Sequence, residues 1–193
     1  MTRAAPGETL IGPNAVTQLG AALASARGMT ALTRVFGAAG LSHYVGAAPQ
    51  AMIPEREAVA ALRALRIELP ADAEAIAVNA GLRTGAYLLA HRIPKAAQII
   101  LKALPARLAA SLFLRAIAAH AWTFSGSGRF SARMSARGCV LEIAANPLAA
   151  NPCAWHRGVF TRLFTALIEP QAQVDEIACT GAGEPACVFE VRW

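Results

Sequence analysis

The sequence predicts an α+β fold in which an N-terminal helical layer packs on an antiparallel sheet of about five strands. Three features of the chain point to it. Residues 1–120 repeat apolar side chains at helical spacing between glycine and proline stops; beyond His120 the period changes to two; and the last apolar run folds back about Gly181-Ala182-Gly183. At 193 residues the chain fits a single domain, 1–193, with a helical part over 1–120 and the sheet and its crossing helix over 121–193.

Pro13 to Arg27 place Val16, Leu19 and Leu23 on one helical face ahead of Gly28, and Thr30 caps a short helix that stops at Gly40. After a loop through Pro49, Pro54 opens a helix carrying Val59, Leu62 and Leu65, which must stop before Pro70. Asp72 caps a helix running to about Arg92, and Pro94 and Pro105 punctuate two more, the second ending near His120. Trp122 and Phe124 then alternate with small polar residues as a first strand, and Gly126-Ser127-Gly128 makes a turn into Phe130, Ala132 and Met134. Arg137-Gly138 leads into Cys139, Leu141 and Ile143, which completes a three-stranded meander. Asn151-Pro152 reads as cap and first turn of a helix whose Phe160, Leu163, Phe164 and Leu167 form one stripe before Pro170. A hairpin from Val174 to Thr180 and from Ala186 to Trp193 closes the chain.

The net charge of +6 comes almost wholly from arginine and suits an anionic ligand, a nucleic acid or an acidic membrane surface. The arginines are scattered, no basic-aromatic stripe accompanies them, and no reader motif is present, so no nucleic-acid partner is expected. The N-terminus lacks the pattern of a signal peptide, and the greasiest region, Ile99 to Trp122, is broken by Lys102, Pro105, Arg107 and Arg115. A cytoplasmic protein is expected, with peripheral membrane contact left open by the basic balance. Four cysteines without a secretion signal suggest metal binding or free thiols.

Cys179 and Cys187 flank Gly183 symmetrically, so a hairpin makes them cross-strand neighbours with sulfurs on the face of Ile177, Phe189 and Val191. Cys153 sits in the first turn of the crossing helix, where the helix dipole favours thiolate. Three thiolates and one carboxylate make a closed tetrahedral site for structural Zn²⁺, whose excess negative charge Arg157 and Arg162 on the same helix can offset. The carboxylate is open between two residues. A regular strand turns Asp175 inward with Cys179, whereas Glu176 needs a bulge to face the sulfurs. A Cys179–Cys187 disulfide and inert buried thiols are the alternatives to metal.

The run Cys153-x22-Glu176-x2-Cys179-x7-Cys187-x-Phe189-x-Val191 resembles the C-terminal motif of the 4-vinyl reductase domain family, a small-molecule-binding domain also found in aromatic-sensing transcriptional activators. The resemblance implies that Cys153, Glu176, Cys179 and Cys187 are the zinc ligands, and that the helical-layer-on-sheet fold is shared with trafficking-complex subunits of the Bet3 type, which dimerise through helices. Met52 to Glu55, Ala80 to Pro94 and His120 to Gly128 are similar to the bacteriochlorophyll-synthesis branch of that family, historically described as 4-vinyl or 8-vinyl protochlorophyllide reductases. That similarity implies a Mg-tetrapyrrole client, pathway-enzyme partners and a homodimer.

A vinyl reductase needs a source of hydride or electrons. Gly126-x-Gly128 lies between two expected strands, so it does not fit a dinucleotide-binding turn, and no catalytic residue is assigned. A carrier of a Mg-porphyrin asks only for an apolar slot, cationic anchors and an axial imidazole. His120, which follows Ala109, Phe113 and Ile117 along an apolar face and precedes Trp122, is the expected axial ligand, with Phe113 and Trp122 beside it. Arg83 and Arg92 flank Tyr87 and His91 on one helix and suit the carboxylate edge of the plate. Carriage of a Mg-porphyrin or protochlorophyllide intermediate is therefore the leading expectation, and direct 8-vinyl reduction the alternative.

Overall fold

The computed structural model describes residues 8–150 and 152–193. Among them the chain begins with a short strand β1 (Leu10–Ile11), which pairs antiparallel with β2 (Ile53–Pro54). Between them runs helix α1 (Asn14–Ala38), broken at Gly28, where φ 79° and ψ 175° leave helical geometry. Only glycine enters that φ range without steric cost, so the stop expected there is a kink between two helical pieces.

Prolines set the following elements as the sequence requires. Helix α2 (Glu55–Glu68) starts directly after Pro54, with Glu55 and Glu57 in its first turn, and ends before Pro70. Helix α3 (Ala73–His91) follows Asp72 at its N-cap position, although the Asp72 carboxylate accepts from Arg27 at 2.5 Å rather than capping a backbone N–H. Helices α4 (Lys95–Ala103) and α5 (Ala106–Ala119) each follow a proline.

The segment expected as the first strand of the meander is instead a short helix, α6 (Trp122–Ser125). Thr123 and Ser125 hydroxyls bond back to the carbonyls of His120 and Ala121, closing a helical turn, and Gly126 at φ 56° ends it. The main sheet therefore has four strands, not about five, in the order β3-β4-β6-β5: β3 (Arg129–Ser135), β4 (Gly138–Ala144), β5 (Gln173–Ala178) and β6 (Ala186–Arg192), all antiparallel.

Helix α7 (Ala154–Leu167) joins the two halves of the fold. Phe160 and Phe164 are buried on the sheet side, with Phe160 edge-on to Phe189 at 5.2 Å, while the opposite face lies against α3. Backbones touch there, because a Cβ on Gly81 would stand 2.8 Å from Gly158 Cα, and one on Gly85 would stand 2.6 Å from Arg162 Cβ. Glycines in α3 and α7 thus seat α7 deep in the molecule. The expected cap Asn151 lies outside the described residues; Cys153 occupies the N-cap position, and the helix starts after it.

Candidate metal centre

Three elements deliver three sulfurs to one point. Cys187 comes from β6 opposite Ile143, Cys179 from the end of β5 just before a 3-10 turn (Thr180–Ala182), and Cys153 from the N-cap of α7. Their Sγ atoms lie 2.8 Å (Cys153–Cys187), 3.2 Å (Cys153–Cys179) and 3.9 Å (Cys179–Cys187) apart, and all three cysteines are buried. All are free. Zinc bonded to sulfur at about 2.3 Å in a tetrahedron separates its sulfurs by about 3.8 Å, so a small closure or opening of this cluster meets the geometry.

Glu176 reaches the same place. Both of its carboxylate oxygens accept from the Cys153 backbone N–H, at 2.8 and 3.0 Å. The ladder between β5 and β6 shifts register between Glu176 and Ala178, and this bulge turns Glu176 inward. It leaves Asp175 on the solvent side, paired with Arg192, and exposes Ile177, which the alternating pattern had placed on the core face with Phe189.

Neutral donors surround the sulfurs. Asn146 Nδ2 lies 3.3 Å from Cys187 Sγ and 3.7 Å from Cys153 Sγ, and Thr180 approaches Cys187 with its N–H at 3.4 Å and its hydroxyl at 3.3 Å. These contacts decide where negative charge sits. The Cys153 thiol above all, then the Thr180 and Asn146 donors, hold Cys187 down to about 5 against the opposing effect of burial. Cys153 is pushed up, first because its thiol donates to Cys187 and then by burial, and Cys179 is pushed up chiefly by burial. The cluster alone thus favours one thiolate and two thiols. Holding three thiolates requires a cation among them. The donor set therefore fits a soft divalent metal held by sulfur. Arg157, expected to offset the charge, instead bonds Glu74 at 2.6 Å.

Asn146 and Thr180 were not among the residues singled out in the sequence. Their positions, two residues beyond β4 and one beyond Cys179, are the only local signal for them. Cys139 stands apart from the cluster, fully buried in β4, where burial pushes its thiol up to about 12.

The residues expected to hold a pigment do not assemble. Helix α5 ends at Ala119, and His120 takes non-helical angles (φ −116°, ψ 9°). It therefore leaves the apolar face and is exposed, with Nδ1 3.0 Å from the Ala116 carbonyl. Trp122 is 57% exposed, whereas Phe113 is in the core against Phe164. Arg83 bonds Asn79 on the surface of α3, Tyr87 and His91 stack one turn apart at 4.7 Å, and Arg92 is exposed beyond the helix end. The fully buried imidazole is His156, among Trp155, Phe160 and Phe189, with Nε2 3.1 Å from the Phe124 carbonyl and burial holding it down to about 4.

The glycine-rich turn at 126–128 is filled from within the protein. Glu55 accepts from the Ser127 N–H at 2.6 Å and from its hydroxyl at 2.9 Å. The site that a phosphate would need holds a carboxylate.

A thiolate-cornered sheet crossed by a central helix defines the class, and the family model of the 4-vinyl reductase domain matches this chain over residues 139–193, which include all three clustered cysteines. The chain belongs to the BchJ-like family of bacteriochlorophyll synthase 23 kDa chains. It is 44% identical over 188 residues to the "Bacteriochlorophyll synthase 23 kDa chain" of Cereibacter sphaeroides, covering 94% of this chain and 89% of that one. It is 40% identical over 198 residues to the protein of the same name in Rhodobacter capsulatus, covering 98% and 92%. Among solved structures the fold is similar to an H-NOX protein from S. oneidensis in the Fe(II)NO ligation state, with a TM-score of 0.56 at 11% identity over 95% of this chain and all of that one. An unliganded Fe(II) H-NOX mutant from K. algicida gives a TM-score of 0.58 at 11% identity, over 94% and 96%. The structural likeness thus runs to H-NOX proteins, where the sequence had suggested the Bet3 type.

Proposed function

We propose that this protein acts in bacteriochlorophyll synthesis as a zinc-containing tetrapyrrole-binding protein that carries or presents a Mg-porphyrin or protochlorophyllide intermediate to pathway enzymes. The pathway assignment rests on the 44% identity to a bacteriochlorophyll synthase chain. What favours carriage over reduction is the closed thiolate cluster. Three of the four cysteines are gathered in a buried set ringed by neutral donors, which suits a structural Zn²⁺ held by Cys153, Cys179, Cys187 and Glu176. When bound, zinc supplies a redox-inert crosslink between α7 and the final hairpin. The glycine-rich turn, already filled by Glu55, is a poor seat for a nucleotide phosphate.

Direct 8-vinyl reduction is the second reading, favoured by the historical description of the family. A homodimer is supported by the exposed apolar side chains Ile99, Ile100, Leu108 and Leu112 on the consecutive helices α4 and α5. Among the described residues no helix is long and apolar enough to cross a membrane.

The test is an absorbance titration of purified protein with Mg-protoporphyrin IX, followed by incubation with divinyl protochlorophyllide and NADPH and a product assay. Saturable binding at one pigment per chain without conversion is expected. Conversion by the protein alone would replace carriage by reduction, and absence of binding would remove the tetrapyrrole reading altogether.

A further inference from the structure

The residues that sequence reasoning offered for the pigment are spread over the surface, yet the fold contains a cleft whose chemistry suits the same client. It lies between α2 and the segment 147–150, with a volume of about 500 Å³ and an opening to solvent. That volume is within the range of about 300–1,000 Å³ typical of small-molecule sites. One wall is a continuous helical stripe of Val59, Leu62, Arg63, Arg66 and Ile67, spaced so that all five share a face of α2. Val59, Leu62 and Ile67 are apolar, and Ile67 is left 65% exposed. The two arginines stand side by side on the same stripe.

Neither arginine is neutralised. The nearby Glu68 carboxylate is taken by Arg34 at 3.2 Å, and no described carboxylate forms an ion pair with Arg63 or Arg66. Arg66 spends one N–H on the Ala150 carbonyl at 2.8 Å, which ties the helix to the facing wall. That wall is fixed from below. Asn146 Oδ1 accepts from the Leu148 N–H at 3.1 Å while its Nδ2 faces the clustered sulfurs, so the cleft is held open by the same residue that borders the metal centre. A preformed apolar slot beside two free guanidinium groups selects a flat apolar molecule that carries carboxylate at one edge.

We propose that this cleft is the seat of the carried ligand, an apolar plate whose carboxylates are met by Arg63 and Arg66. The assignment rests on the tetrapyrrole-binding reading above and names the place where that binding occurs.

The experiment is a fluorescence titration with Mg-protoporphyrin IX and with its dimethyl ester, on the wild-type protein, Arg63→Gln, Ile67→Glu and the surface variant Arg83→Gln. Arg63 and Ile67 are exposed, so both substitutions keep the core intact, and a thermal melt confirms it. Loss of one charge-assisted contact weakens binding by about tenfold. Arg63→Gln should therefore raise Kd for the free acid about tenfold while leaving the ester nearly unchanged, Ile67→Glu should weaken both, and Arg83→Gln should change neither. Wild-type binding that survives Arg63→Gln and Ile67→Glu intact, or that is lost in Arg83→Gln, would overturn the cleft while leaving tetrapyrrole binding in place. No binding to wild type would overturn both.

Discussion

Adding one methyl group where α3 crosses α7 tests how the metal centre is positioned. In Gly81→Ala the new Cβ would stand 2.8 Å from Gly158 Cα and closer still to the Trp155 carbonyl oxygen. Non-bonded carbon atoms settle at about 3.5–4.0 Å, so the helices must separate by about 1 Å at their tightest point. The obstruction is backbone on both sides and no rotamer change relieves it. Overpacking costs about 1–3 kcal/mol, and a rigid clash belongs at the upper end, about 3 kcal/mol. For a domain of this size that corresponds to a fall in Tm of about 10 °C. Gly37→Ala is the control, since its Cβ meets only Ser42 Oγ at 3.7 Å in an exposed stretch of α1. There alanine should stabilise by about 0.5–1 kcal/mol through helix propensity. Calorimetric melts of both variants read the difference, and metal release to a chelator should be faster in Gly81→Ala because Cys153 sits at the N-cap of the displaced α7. If Gly81→Ala melts at or above wild type, as Gly37→Ala should, the backbone contact does not govern the packing of α7.

Further expectations concern the buried titratable groups and the ligands. His156 is held down to about 4, below its ordinary 6.5, so the unfolded chain binds the extra proton first as pH falls. Stability from its neutral form is full above about 6.5 and is lost as pH falls toward 4, by about 3 kcal/mol in total; urea melts should show this slope in wild type and a flatter profile in His156→Gln. Cys179→Ala and Cys187→Ala should lose bound metal and most of the stability it confers, whereas Cys139→Ala, outside the cluster, should keep one metal per chain and lose about 1 kcal/mol. Glu176→Gln should weaken metal retention against a chelator, while Asp175→Asn, on the solvent side with Arg192, should not. Glu55→Ala should cost about 2 kcal/mol in a denaturant melt by leaving the Ser127 N–H and hydroxyl without their carboxylate.

Much of the helical layer was legible because proline and glycine act locally. Pro54, Pro94 and Pro105 open helices and Gly28 breaks one, each for backbone reasons that need no tertiary contact. The thiolate cluster was legible because hairpin symmetry about Gly183 and a helix start at Cys153 bring distant sulfurs together by secondary structure alone. Glu176 against Asp175 was not decided by alternation, since the bulge at Ile177 is a property of the β5–β6 pairing. Trp122 to Ser125 misled because four residues are too few to separate a period of two from a single helical turn, and the hydroxyl bonds of Thr123 and Ser125 decide it. His120 misled for a related reason, as the apolar stripe of α5 was extended one residue past the end of the helix. The cleft was invisible because its walls are more than eighty residues apart along the chain.

The central claim is that Cys153, Cys179, Cys187 and Glu176 hold one zinc ion. X-ray absorption at the zinc edge, on protein purified without chelator, tests it most directly. One zinc per chain with three sulfur neighbours at about 2.3 Å and one oxygen at about 2.0 Å is expected. Protein without zinc, or zinc surrounded only by nitrogen and oxygen, would contradict it.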